Sequence, residues 1–180
     1  MVDLTLYEND IKECLNEIKD YQNGDLYKNG FTVEESLPKN TILFLGVNPS
    51  CEKGTEGRWL KNPFYPINEQ KLLSGKSKGY FEKSIEIATD CLNCHGQENY
   101  YAHHDIFPFR VTNQEQVKSL YREKSFSKCI KKCLDLSATI ITEAEPLIIV
   151  AANAFIREVF FDPNYKFMGF EPATENNPAN

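Results

Sequence analysis

A short loop after an apolar run carries the residues best suited to chemistry. The run Ile42-Leu43-Phe44-Leu45 ends in Gly46-Val47-Asn48-Pro49-Ser50. Glycine lets the backbone approach a ligand closely, and Pro49 restricts Asn48 to an extended conformation. The loop therefore predicts a binding or catalytic site built around Asn48.

Two further groups have side chains that bind metals or transfer protons. Cys91, Cys94 and His95 form a Cys-x-x-Cys-His sequence, which attaches haem in exported proteins and could hold zinc together with His103 or His104. The second Cys-x-x-Cys half of a zinc site is missing, so we interpret these cysteines as structural thiols and expect no metal or cofactor. His103 and His104 face opposite sides of a predicted strand, so at most one is expected to serve a site.

Several common catalytic motifs do not occur. The sequence has no Gly-x-Gly-x-x-Gly, no complete phosphate-binding Gly-x-x-x-x-Gly-Lys-Ser/Thr and no Gly-x-Ser-x-Gly. Nucleotide hydrolysis and serine esterase chemistry are therefore disfavoured. Cys129 and Cys133 lie four residues apart on a predicted helix, so both are expected to point into the core rather than to serve redox chemistry.

A parallel α/β sheet would bring the polar residues together. Helical and strand patterns alternate along the chain, and the strands are predicted to be buried on both faces. In such a sheet ligands bind beyond the carboxyl ends of the strands, where Asn48, Asp105 and Arg110 are expected. The predicted elements are a helix at 10–22, a strand at 42–45, a helix at 80–94, a strand at 100–107, a helix at 125–144, a strand at 147–151 and a helix at 153–161.

Composition and charge limit the class of protein. The 180 residues are 41% hydrophobic and 26% charged, which predicts a single globular domain over 1–180. The sequence shows neither a signal peptide nor an apolar run long enough to span a bilayer, so a cytoplasmic location without membrane contact is expected. The net charge of −6 is concentrated in an acidic helix and loop at 1–38, whereas 53–83 is basic. Residues 172–180 are expected to be a disordered tail.

The order of these motifs resembles the uracil-DNA glycosylase superfamily, most closely its mismatch-specific and single-strand-selective branches. The resemblance covers roughly 40–160. It depends on Gly46-Val47-Asn48-Pro49-Ser50, on Asn62-Pro63-Phe64-Tyr65, on a strand followed by Asp105 to Arg110, and on Pro146 before another strand. It implies an α/β three-layer sandwich with a central, mainly parallel four-stranded sheet, and a DNA partner from which a flipped-out uracil or mismatched base is removed.

The resemblance also implies roles for individual residues. Asn48 would position the attacking water as the catalytic residue, and the backbone of Gly46, Val47, Pro49 and Ser50 would hold substrate oxygens. Phe64 or Tyr65 would stack on the extruded base, which is worth about 1–3 kcal/mol. Asp105 lies near a family position that is usually an asparagine and reads the pyrimidine edge, and Arg110 would contact a phosphate.

One departure from the family keeps a second function open. Members often carry a His-Pro-Ser loop after the fourth strand, which stabilises charge on the leaving base. Here no histidine follows His104, and Asn177-Pro178-Ala179 only faintly resembles that loop. The alternative is a divergent, non-catalytic module that keeps the fold and binds nucleic acid or protein.

Overall fold

A computed structural model describes residues 1–66, 78–93 and 101–169, which form a mixed α/β structure. No helix in these ranges is both long and apolar enough to cross a lipid bilayer. The strands are β1 Val2–Asp3, β2 Val33–Glu34, β3 Ser36–Leu37, β4 Ile42–Gly46, β5 Phe64–Tyr65, β6 Tyr101–Asp105 and β7 Ile148–Val150. The α-helices are α1 Glu8–Glu17, α2 Asp25–Asn29, α3 Lys78–Asn93, α4 Gln114–Arg122, α5 Ser127–Ala144 and α6 Ala154–Phe160.

The central sheet has β4 in the middle and β6 and β7 on either side. Both outer strands run parallel to β4, which confirms the predicted parallel α/β arrangement. Within the described ranges this sheet has three strands, and the four-stranded form is not confirmed. Gly46 at the carboxyl end of β4 lies opposite Asp105 at the carboxyl end of β6. The register thus brings two of the predicted site residues side by side.

The alternation of side chains along β4 explains why this strand is central. All five of its residues are buried. Leu43 and Leu45 belong to the large apolar core shared with α1, α5 and α6, whereas Ile42 and Phe44 pack with residues of α3. Because successive side chains point to opposite faces, one apolar strand supplies the core on both sides.

The helix predicted at 125–144 is α5, preceded by a single 3-10 turn. Cys129 and Cys133 are buried between α5 and the rest of the core, which confirms their predicted placement. The helix ends at Glu145, which has a left-handed φ of 47°, just before Pro146. The helix α4 was not predicted, although Asn113 caps it by accepting a hydrogen bond from the Glu115 amide.

The strand β7 differs from its prediction. Its apolar sequence predicts burial on both faces, but Ile148 is 50% exposed and Leu147 before it is 49% exposed. This part of the prediction is wrong because β7 is an edge strand of the described sheet, whereas apolar sequence alone does not distinguish an edge strand from a central one.

The acidic segment 1–38 contributes to the core rather than only to the surface. It supplies β1, β2, β3, α1 and α2, and the buried side chains of α1 pack on α5. The helix predicted at 10–22 is shorter than expected, since α1 ends at Glu17 and a 3-10 turn follows at Tyr21–Gly24. Residues 172–180 lie outside the described ranges.

Candidate functional site at the carboxyl ends of β4 and β6

The loop after β4 is held by hydrogen bonds to the segment after β6. The amides of Ile106 and Val111 donate to the carbonyls of Gly46 and Pro49, both at 3.0 Å. The Asn48 side chain adds to this ladder, because its Nδ2 donates to the Val111 carbonyl at 2.7 Å and to the Pro49 carbonyl at 2.9 Å. The Asn48 amide therefore has a fixed orientation.

The other end of the same amide is left without a protein partner. Asn48 Oδ1 is buried and accepts no hydrogen bond from the described residues. A buried acceptor left in this state costs about 1–3 kcal/mol, and ordered water commonly satisfies such groups. The arrangement is chemically suited to orienting one water molecule.

The carboxyl end of β4 must be a glycine because β6 places two side chains against it. A Cβ atom built on Gly46 would lie 1.9 Å from Asp105 Oδ1 and 2.7 Å from His103 Nε2. No side chain fits at these distances without moving one of the two neighbours. The absence of a side chain at 46 is thus what allows Asp105 and His103 to approach the strand.

A carboxylate from β2 completes this group. Glu34 is 2% exposed, and its Oε1 lies 3.4 Å from His103 Nδ1. Its Oε2 lies 3.8 Å from His104 Nδ1, and His104 Nε2 lies 3.0 Å from Ser137 Oγ. Both histidines therefore meet one carboxylate, although they face opposite sides of β6, because Glu34 lies beside the strand edge. That at most one histidine serves a site stays a prediction.

The pKa values of the ionisable groups in this cluster are shifted in different directions. Burial alone would raise the pKa of Glu34, but the neighbouring imidazoles of His103 and His104 outweigh burial and lower it to about 2. Burial raises the pKa of Asp105 to about 6, with His103 opposing the rise. Burial lowers the pKa of His103, but Asp105 and Glu34 more than reverse this and leave it raised. Two carboxylates in one cluster thus differ widely in acidity.

A cleft of about 320 Å³ opens beside this cluster. Gly46 and Val47 line it at the end of β4, and His103 reaches it from β6. Asn153, which follows β7, lines the opposite side and donates through Nδ2 to Gln114 Oε1 at 3.3 Å. Aromatic rings from Phe44 and Phe81 also line the cleft. It therefore combines flat apolar walls with amide and imidazole groups.

The predicted stacking residues lie elsewhere. Phe64 packs against Phe31 with a centroid separation of 6.2 Å, and neither Phe64 nor Tyr65 lines the cleft. The Tyr65 hydroxyl lies 3.4 Å from Glu34 Oε1. Burial raises the pKa of Tyr65 well above its ordinary value, and Glu34 and Asp105 add to this effect. Tyr65 is therefore associated with the buried cluster.

The remaining predicted residues have mixed placements. Pro49 is buried and Ser50 is exposed. Arg110 is buried, and its guanidinium donates to the Thr55 hydroxyl at 2.9 Å and to the Thr55 carbonyl at 3.3 Å. In this conformation Arg110 holds the loop after Ser50 rather than presenting its charge on the surface.

Sequence reasoning missed Glu34 as the partner of His103, and it missed the Gln114 and Asn153 amides as part of the cleft. Glu34 lies in the acidic segment 1–38, and nothing in its neighbourhood predicts burial. The zinc site considered from the sequence, with Cys91 and Cys94, has only His103 and His104 in common with the buried cluster around Glu34. Cys91 is exposed, while Cys94 and His95 lie outside the described residues.

Comparison with known proteins yields no match: no family model, no curated protein and no solved structure corresponds to this chain. The functional argument consequently depends on the residues and their geometry.

Proposed function

We propose that this chain hydrolyses the N-glycosidic bond of a uracil or mismatched base flipped out of DNA. The observation that carries the proposal is the Asn48 amide, which is fixed through Nδ2 and has an unpartnered Oδ1, next to the Gly46-Val47 wall of the cleft. A volume of about 320 Å³ is at the small end of ligand pockets, which suits one flat ring and part of a sugar.

In this mechanism Asn48 positions the water that attacks the sugar carbon. An amide does not accept the proton, so the bond to the base would break with the base leaving as an anion, and the proton of the water would pass to that base or to solvent. The reaction would therefore depend on a base that departs readily. The Phe44 and Phe81 rings are available to pack against the base. The Gln114 and Asn153 amides offer donors and acceptors for its edge, and Asp105 lies behind Gly46. Phe64 and Tyr65 would reach the base only after a rearrangement of the segment around β5.

The proposal includes a DNA-binding surface after the Asn48 loop. Lys53, Arg58 and Lys61 are exposed there. Cations of this kind contact phosphates and give affinity that falls with salt. The uracil-DNA glycosylase-like sheet also has a fourth strand, and the edge of β7 that is unpaired within the described residues is where such a strand would add.

Base release tests the proposal. Wild-type protein is incubated in excess over single- and double-stranded DNA that contains uracil or a mismatch, and abasic sites are detected by strand cleavage at alkaline pH. We expect release by the wild type and a loss of at least about 100-fold in Asn48→Ala, comparable with other groups that stabilise a transition state. Asn16→Ala, an exposed change on α1, should behave as the wild type. An inactive wild type, or an Asn48→Ala variant with full activity, would reject the proposal.

A non-catalytic DNA-binding module is the second candidate. It is favoured by one observation: the Asn48 side chain does not itself line the cleft. This candidate predicts salt-sensitive DNA binding that Lys53→Ala and Lys61→Ala weaken, with no base release from any substrate. The same assays therefore separate the two functions.

A further inference from the structure

The buried cluster on the edge of β6 has the composition of a cation site. One ligand atom from each of Glu34, His103 and Asp105 lies within 4.8 Å of the other two. The three residues are 2%, 8% and 9% exposed, respectively. They come from two separate parts of the chain, which the fold brings together.

The spacing of these atoms is compatible with one shared cation. One imidazole gives one nitrogen to one metal ion; with one atom taken from each residue all separations are within 4.8 Å, and His103 Nδ1 lies 3.4 Å from Glu34 Oε1. Good N–H···O hydrogen bonds are about 2.7–3.2 Å long. Ligands that bind one tetrahedral Zn²⁺ at about 2.1 Å are separated from each other by about 3.4 Å. The side chains of Asp105 and His103 would turn to bring all three atoms to this separation when the cation binds.

The charge of the cluster leads to the same conclusion. Among the described residues, histidines are the only basic side chains within ion-pair distance of Glu34 or Asp105. Burying two carboxylates is costly unless positive charge accompanies them. One divalent cation supplies two positive charges to this cluster.

We propose that Glu34, His103 and Asp105 bind one divalent transition-metal cation, with Zn²⁺ the best fit. Mixed imidazole and carboxylate ligands suit Zn²⁺ and disfavour Mg²⁺, which prefers oxygen ligands and retains water. His103 lines the cleft, so a cation bound here is accessible from it. The site is independent of the proposed base release, which needs Asn48.

Neighbouring groups would support the ligands. The Tyr65 hydroxyl lies 3.4 Å from Glu34 Oε1, and His104 Nδ1 is buried without a hydrogen-bond partner, 3.8 Å from Glu34 Oε2. Contacts of this kind orient carboxylate ligands in metal sites. The lack of a Cβ at Gly46 provides the space that Asp105 Oδ1 occupies.

The test measures binding of the metal alone to the full chain. Chelator-treated protein is titrated calorimetrically with Zn²⁺, Mn²⁺ and Mg²⁺, and Co²⁺ is added to a parallel sample for absorption spectra. We expect one Zn²⁺ per chain, weak or no Mg²⁺ binding, and a tetrahedral Co²⁺ spectrum without the intense charge-transfer band of thiolate ligands.

Isosteric variants assign the ligands. Glu34→Gln and Asp105→Asn should each weaken Zn²⁺ binding by at least about 100-fold, since losing even an outer partner of a ligand costs 10–100-fold. Glu35→Gln and Asp135→Asn, both exposed, should bind as the wild type. Cys91→Ala should also leave binding unchanged.

Three results would overturn the site. They are a wild type that binds no Zn²⁺, a thiolate band in its Co²⁺ spectrum, and folded Glu34→Gln and Asp105→Asn variants with undiminished affinity. The spectrum of the wild type decides the ligand class even if a variant does not fold. Base release without Zn²⁺ binding would reject the site alone, and Zn²⁺ binding without base release would reject only the proposed function.

Discussion

One edge strand of the central sheet, β6, buries polar residues, whereas the other, β7, exposes an apolar one. On β6 the polar residues His103, His104 and Asp105 are buried. On β7 the apolar Ile148 is half exposed. Folding alone favours the reverse, since burial of apolar groups stabilises and burial of charge destabilises. The β6 edge therefore carries a stability cost, which is the usual property of a site selected for function.

The difference has a structural origin. Glu34 and Tyr65 belong to β2 and β5, which pair with each other in parallel and cover the β6 side. The β7 side has no such cover within the described ranges. We infer that β2 and β5 exclude water from the buried cluster on β6. A further strand could pair with the uncovered edge of β7.

The largest stability effect should distinguish the centre of the sheet from its open edge. Leu43→Ala removes a fully buried side chain of β4 and should lower the free energy of unfolding by about 2–5 kcal/mol. Ile148→Ala removes a half-exposed side chain and should lower it by less than about 1 kcal/mol. Urea denaturation measures both. Equal losses would mean that β7 is covered in solution and that the comparison fails.

The next largest effect on stability is expected from a substitution that pushes the side chains of β6 away from β4. Gly46→Ala should lower the free energy of unfolding by about 1–3 kcal/mol, because its Cβ would overlap Asp105. Gly79→Ala is a matched control, since a Cβ there meets nothing within 4 Å in α3 and should stabilise by about 0.5–1 kcal/mol. Thermal and urea unfolding would test both. A neutral Gly46→Ala would show that Asp105 does not occupy this position.

A smaller effect, of the opposite sign, is expected from removing one buried charge. Burial raises the pKa of Asp105 to about 6, so its ionised form is disfavoured in the folded state at pH 7. Asp105→Asn should therefore leave the metal-free protein equally stable or more stable. A loss of several kcal/mol would mean that Asp105 is structural.

The smallest effect should come from Ile148→Lys. A lysine on an exposed edge strand is tolerated and should change the free energy of unfolding by no more than about 0.5 kcal/mol. Gel filtration and urea unfolding measure the outcome. A change in oligomeric state would show that this edge pairs with another chain.

Much of the scaffold was predictable, because it depends on local apolar patterns. The run at 42–45 identifies β4, and Pro146 marks the end of α5. The helix α4 was missed although Asn113 precedes Val117, Leu120 and Tyr121 at helical spacing. Edge exposure of β7 could not be predicted, since it depends on which strands pair.

The candidate site was only partly predictable. Gly46 and Asp105 were placed at one sheet edge, because parallel strands align their carboxyl ends. Glu34 was not placed there. It lies beside β6 because β2 pairs with β5, and Tyr65 of β5 is 31 residues further along the chain than Glu34. Phe64 and Tyr65 were assigned to stacking from their sequence alone, which does not predict that Phe64 packs on Phe31.

Hydrogen exchange with and without uracil-containing single-stranded DNA tests the central claim, that the buried polar edge is the working edge of the sheet. We expect protection of backbone amides at 46–51 and 105–112 on adding DNA, with 147–149 unchanged. Protection confined to 147–149, or none at saturating DNA and low salt, would contradict this claim.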